Sequence, residues 1–181
     1  MSLANASIDL VLPVGQRDHI QGSLTAPIVL VEYGDYQCPY CMEAVETVRE
    51  LQQQFAERLC YVFRHFPMVE IHPHAMRAAE AAEAAAAQNQ FWQMHYCLFS
   101  YQSDLSDEAL VEYARGLELD MDKFRHDLNS SDRLHHIQED IKTGVESGID
   151  STPTFFINGV HHSGHSDVRT LLKVIDQDYP N

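Results

Sequence analysis

The sequence predicts an α/β fold in which a mixed sheet is interrupted by an inserted all-helical subdomain, and three observations lead there. Ile28 to Val31 is a continuous apolar run rich in β-branched residues, the pattern of a strand covered on both faces. A second such run, Leu59 to Phe66, follows a segment of helical periodicity, so the two make a βαβ unit with parallel strands. Strand character then disappears until Ile149 to Gly159, and the intervening residues carry helical spacing throughout.

Taken in order, Ile8 to Val14 reads as an edge strand, where Pro13 is tolerated, and Arg17 to Ala26 as a connecting loop. Gly34 and Asp35 end the strand that begins at Ile28. From Pro39 the apolar positions Ala44, Val45, Val48, Leu51 and Phe55 define one face of a helix. Ala75 to Gln88 is nearly all Ala, Glu, Met and Arg, giving high helix propensity. Phe91, Trp92, His95, Tyr96, Leu98 and Phe99 continue at helical spacing as core. Ser106 and Asp120 read as N-caps, each flanked by a hydrophobic staple: Leu105 with Leu110, and Leu119 with Phe124. Leu134, Ile137, Ile141 and Val145 mark the apolar face of another helix, ending near Gly148. Asn158-Gly159 is the preferred pair for a type I′ hairpin, answered by Val160 to His162. A last helix is expected from Asp167 to Ile175 with Ser166 as its cap.

The chain of 181 residues, 45% hydrophobic, is long enough for a proper core and has no Pro/Gly/Ser linker, so one domain, 1–181, is expected. Within it 1–66 and 149–181 form the core, and about 67–148 the insertion. A formal charge of −15 argues against nucleic acid and anionic membrane surfaces as partners. The longest stretch free of charged residues, Ala84 to Ser103, holds Gln88, Asn89, Gln90, Gln93 and His95 and does not suit a membrane span, so no membrane insertion is expected. No basic, then apolar, leader is visible at the N-terminus. A cytoplasmic location is expected for the chain as it stands, or a periplasmic one if a leader has been removed. Eleven histidines invite a metal, yet His72 and His74, His135 and His136, or His161, His162 and His165 lack the spacing of a defined site, and none is expected.

Cys38-Pro39-Tyr40-Cys41 falls where strand gives way to helix. Residues three apart in a helical turn have Cα atoms roughly 5 to 5.5 Å apart, within the range a disulfide spans. Pro39 suits the first helical position. Unpaired N–H groups and the positive end of the helix dipole favour a thiolate on Cys38, making it the candidate nucleophile and Cys41 the resolving thiol. An ordinary thiol is only about 3% ionised at neutral pH, and lowering its pKa by two units raises that to roughly three quarters. Glu32, Asp35 and Glu43 lie near in sequence and oppose the thiolate, so a moderate depression is expected. A structural disulfide or half of a zinc site is the alternative, but Cys60 and Cys97 offer no matching pair. Cys60 reads as a core residue and Cys97 as inert, with a bridge between them left open. Alternation puts Glu32 on the strand face of Ile28 and Leu30, where burial raises a carboxyl pKa. The alternative is an end-of-strand glutamate bonded to solvent or backbone.

Together with Thr152-Pro153-Thr154-Phe155-Phe156-Ile157-Asn158-Gly159, this stretch resembles the active site of the DsbA family of bacterial thiol–disulfide oxidoreductases. The likeness runs from about Arg17 to the last helix and is greatest to members without a signal sequence, and to the domain fused behind some bacterial sodium/proton antiporters. It implies a thioredoxin-like mixed sheet with a helical insertion. It also implies a cis Thr152–Pro153 bond beside the cysteines, with Thr152, Pro153, Pro39 and Tyr40 binding substrate, and Glu32 transferring a proton to or from Cys41. Strand addition gives Thr152 a physical use, since its backbone can pair with an extended segment. No cofactor is expected beyond a redox-active Cys38–Cys41 disulfide. The implied partners are cysteine-containing protein or peptide substrates and a glutathione or thioredoxin-type redox partner. Tyr40 stands where DsbA has a histidine, and Cys-Pro-Tyr-Cys is also the glutaredoxin sequence, so a potential on the order of −200 mV is expected, between thioredoxin and DsbA. The competing reading is a non-catalytic redox-sensing or partner-binding module.

Overall fold

The computed structural model describes residues 9–179. Five strands form one sheet: β1 (His19–Gln21), β2 (Ile28–Gly34), β3 (Leu59–His65), β4 (Thr154–Ile157) and β5 (Val160–His161), in the order β1-β3-β2-β4-β5. β2 and β3 run parallel, and every other neighbouring pair is antiparallel. Helix α1 (Pro39–Phe55) makes the crossover from β2 to β3. Five helices then intervene before β4: α2 (Ala75–Ala86), α3 (Phe91–Ser100), α4 (Asp107–Gly116), α5 (Met121–Leu128) and α6 (Leu134–Glu146). Helix α7 (Val168–Asp178) follows the β4–β5 hairpin. The βαβ unit and the helical insertion stand as expected.

The sheet separates two cores. Ile28, Leu30, Tyr61, Phe63, Phe155 and Ile157 face the larger one, shared with α1, α7 and much of the insertion. Val31, Tyr33, Cys60, Val62 and Phe156 face the smaller one. Helix α6 lies on that second side, where Tyr33 and Thr143 hydroxyls meet at 3.3 Å. It approaches so closely that a Cβ on Gly144 would stand 2.8 Å from the Phe66 ring. The buried face of α6 is therefore Ile137, Asp140, Thr143 and Gly144, and Val145 is exposed, unlike the face its apolar spacing predicted.

Other expectations are corrected at the ends of elements. Ile8 lies outside the described residues, and from Asp9 onward the predicted edge strand reduces to one bridge, Asp9 to Val160. The edge strand is instead β1, inside the predicted loop, where His19 to Gln21 pair with Phe63 to Tyr61. Residues 149–150 have no regular structure and 151–153 form a bend, so strand begins only at Thr154. Asp167, not Ser166, caps α7, accepting from the Thr170 N–H. Ser106 and Asp120 do cap α4 and α5, with both staples buried. Asn158 and Gly159 both have positive φ, as a type I′ turn requires.

Candidate active site

Gly34 ends β2 against the Phe63 ring: a Cβ there would collide with it and stand 3.1 Å from Glu32 Oε1. The chain then turns through Asp35, whose carboxylate accepts from the Gln37 and Met68 N–H groups at 2.7 and 2.8 Å and faces His72 Nδ1 at 2.8 Å. This turn delivers Cys38 in extended conformation to the N-cap position of α1, with Pro39 at N1. Gln102, from beyond α3, donates to the carbonyls of both Tyr36 and Cys38, at 2.8 and 2.9 Å, and so fixes the backbone that carries the cysteine.

All four cysteines are free thiols, and Cys60 and Cys97 form no bridge. Cys38 is 4% exposed and Cys41 fully buried. As a thiol, Cys38 donates to the Thr152 carbonyl at 3.4 Å. Its pKa is lowered to about 5, chiefly by hydrogen bonding from the Cys41 thiol, against the opposing effect of burial. The Thr152 side chain and the N–H groups of Cys41 and Tyr40 add to the depression. Cys41 is pushed well above the ordinary thiol value by burial, by its bond to Cys38 and by Glu32. Its sulfur accepts from the Asp35 N–H at 3.4 Å. The depression at Cys38 exceeds the moderate one expected from sequence, because Asp35 spends its charge on its own loop and the second thiol is the main donor.

Glu32 is 2% exposed, on the same face as Ile28 and Leu30, and accepts from the Tyr61 hydroxyl at 2.7 Å. Burial raises its pKa to about 8, the Tyr61 bond opposing and the Cys38 charge adding to the shift. The Thr152–Pro153 bond is cis. Thr152, Pro153, Tyr40, Glu43, Thr47 and His165 help to line a groove of about 450 Å³ beside the pair. Tyr40 is 68% exposed where it lines the groove, and Pro39, its neighbour in the chain, is exposed as well. Thus the residues singled out in the sequence converge on one end of the sheet. Tyr61, Gln102 and Asp35's loop-building role were missed. Asp35 carried a signal, an aspartate two residues before an N–H it can cap, whereas Tyr61 and Gln102 act across distances that no local pattern encodes.

A family model described as Thioredoxin matches residues 15–177. The chain belongs to this thioredoxin family. Among solved structures, the thioredoxin-family chain is similar to BdbD from Bacillus subtilis, with TM-score 0.84, 20% identity, and 96% of this chain and 98% of that one covered. It is similar too to alpha-DsbA1 of Wolbachia pipientis, with TM-score 0.78, 25% identity and 94% of each chain covered. The thioredoxin-like fold with a helical insertion is therefore of the DsbA type. Among curated sequences, "Na(+)/H(+) antiporter NhaA 1" of Salinispora arenicola is 43% identical over 176 residues, 97% of this chain. "Na(+)/H(+) antiporter NhaA 3" of Salinispora tropica is 44% identical over 169 residues. The chain spans 27% and 26% of the length of these two relatives. No helix among the described residues is long and apolar enough to cross a membrane.

Proposed function

We propose that this protein is a thiol–disulfide oxidoreductase that exchanges disulfides through Cys38 and Cys41. The observation that carries the reading is the opposed ionisation of two neighbouring thiols, Cys38 lowered to about 5 and Cys41 raised. At neutral pH Cys38 is a thiolate and Cys41 holds its proton. The thiolate attacks one sulfur of a substrate disulfide, forming a mixed disulfide and expelling the other sulfur as a thiolate. Resolution runs through the ionised form of Glu32, whose population grows toward pH 8: Cys41 gives that carboxylate its proton and attacks Cys38 Sγ. The Cys38–Cys41 bond forms, the second substrate sulfur leaves, and two electrons have passed to the substrate. In the reverse sense the oxidised pair takes two electrons from a substrate dithiol. Because the Cys38 thiolate has no proton to give it, the Thr152 carbonyl is free of that bond in the reactive state, which supports pairing of that backbone with an extended substrate in the groove.

The thiolate pKa also supports a direction. Values of about 3.5 in DsbA and about 7 in thioredoxin accompany potentials of about −120 and −270 mV, and a value near 5 lies between them. The pair is therefore an intermediate oxidant, near −200 mV, whose substrates are cysteine-containing proteins or peptides and whose electron partner is of the glutathione or thioredoxin type.

Ultraviolet thiolate absorbance should titrate with a midpoint near 5 in the reduced protein and lose that midpoint in Cys38→Ser. Cys38→Ser should also abolish insulin reduction, while Cys41→Ser accumulates a mixed disulfide. A midpoint near 8.5, or turnover surviving Cys38→Ser, would overturn the reading.

A further inference from the structure

On the far side of β3, four residues remote in sequence converge. Glu83 of α2, 5% exposed, faces His19 Nε2 of β1 at 2.6 Å and His65 Nε2 of β3 at 2.8 Å through one oxygen, Oε1. Its other oxygen, Oε2, lies 3.8 Å from His136 Nδ1 of α6. Donor atoms from His19, Glu83 and His136 all lie within 4.8 Å of one another. The imidazoles are held in place. His19 stacks on Phe91 with ring centroids 3.5 Å apart and on His136 at 4.9 Å. The other nitrogen of His136, Nε2, lies 3.7 Å from the Asp140 carboxylate, beyond a hydrogen bond but near enough to close into the carboxylate–histidine pair that orients metal ligands.

We propose that His19, Glu83 and His136 bind a divalent transition metal ion of the zinc class, joining β1, α2 and α6. Two imidazoles and one carboxylate are a set zinc accepts, with water completing the coordination. Ligand bonds of about 2.0 to 2.1 Å place tetrahedral donors about 3.4 Å apart. The separations to Glu83, 2.6 Å from Oε1 to His19 and 3.8 Å from Oε2 to His136, lie on either side of that value, and with the three donors within 4.8 Å of one another the side chains close onto an ion by rotating together. His65, on the same Glu83 oxygen as His19, then steadies the carboxylate. Side chains of His19 and His136 are 15% and 22% exposed, which gives an ion a way in.

Charge supplies an independent argument. The continuous network of Glu83, Asp140, Glu139 and Asp18 with Arg17 and Arg64 sets four carboxylates against two guanidiniums. With neutral imidazoles, as ligation requires, two negative charges remain, one of them on Glu139, which is 40% exposed, and a dication offsets the buried excess.

The test uses the metal-stripped full chain carrying Cys38→Ser and Cys41→Ser, so that the reactive thiols cannot bind the probe. Zinc titrated against a chromophoric chelator should bind at one equivalent with sub-micromolar Kd, and raise the melting temperature. His136→Ala, at a partly exposed position, should weaken binding by at least about 100-fold and remove the thermal shift, as should His19→Ala. Cobalt loaded into the same background should give the intense visible bands of four-coordinate nitrogen and oxygen ligation, a readout that needs no variant of the cluster. Affinity unchanged in a folded His136→Ala protein, or cobalt with only the weak spectrum of the hydrated ion, would overturn the proposal.

Discussion

Glu32 and Arg64 sit on adjacent strands of one sheet and point to opposite faces, and both side chains are buried. Their surroundings differ completely. Arg64 gives two hydrogen bonds to Asp18, at 2.8 and 3.2 Å, and further ones to the Tyr33 hydroxyl and the carbonyls of Leu12 and Pro13. Although burial alone would lower its pKa, these partners raise it and the guanidinium stays charged. Among the described residues Glu32 has the Tyr61 hydroxyl and no cation, and is neutral up to about pH 8. The same sheet thus buries one charge with full compensation and one acid with almost none. A paired ion contributes a fixed structure, whereas an undercompensated acid next to two thiols can take and return a proton near neutral pH.

The contrast can be broken at Arg64. Arg64→Ala leaves Asp18 with Arg17 and the Gly15 N–H but without its buried partner, and should cost about 3 kcal/mol in chemical denaturation, with disulfide exchange per folded molecule unchanged. Replacing both partners, Arg64→Met with Asp18→Leu, should recover most of that loss. At Glu32 the effect should be kinetic. Glu32→Gln should slow resolution of a Cys38 mixed disulfide by about 100-fold in rapid-quench measurements and remove the rise in that rate centred near pH 8. Equal rates would remove Glu32 from proton transfer. Stability should respond in the opposite sense. Because the folded pKa is raised from 4.5 to about 8, the native protein keeps this contribution below pH 4.5 and loses it as pH rises through 8. The stability of Glu32→Gln should therefore gain on that of the native protein by about 5 kcal/mol across that window, at about 1.36 kcal/mol per pH unit. Tyr61→Phe is the mildest change: losing a donor that lowers the Glu32 pKa should move the pH midpoint of resolution upward, an effect of about 1 kcal/mol.

What the sequence disclosed and what it withheld divides along the same line. The βαβ unit, the insertion, the N-caps at Ser106 and Asp120, and the placing of Cys38 at a helix start follow from local periodicity and turn chemistry, which a single chain displays. Glu32's burial followed too, from alternation within one strand. The edge strand was misplaced because three residues pairing with β3 gain their character from the partner, not from their own pattern. On α6, apolar spacing chose Val145, yet the tight approach at Gly144 and the contacts of Asp140 with the His65 N–H and Arg17 set the buried face. The histidine cluster was invisible for a similar reason. Its members lie at 19, 65, 83 and 136, and no spacing rule joins them.

One amide group ties the extra helices to the chemistry. Since Gln102 grips the Tyr36 and Cys38 carbonyls from outside the loop, the segment between β3 and β4 is no detachable ornament. A shortened chain lacking it would present Cys38 on a bend held by its own local bonds, such as that of Asp35 with the Gln37 N–H. Swapping insertions between relatives would retune the sulfur without altering a single letter of Cys-Pro-Tyr-Cys.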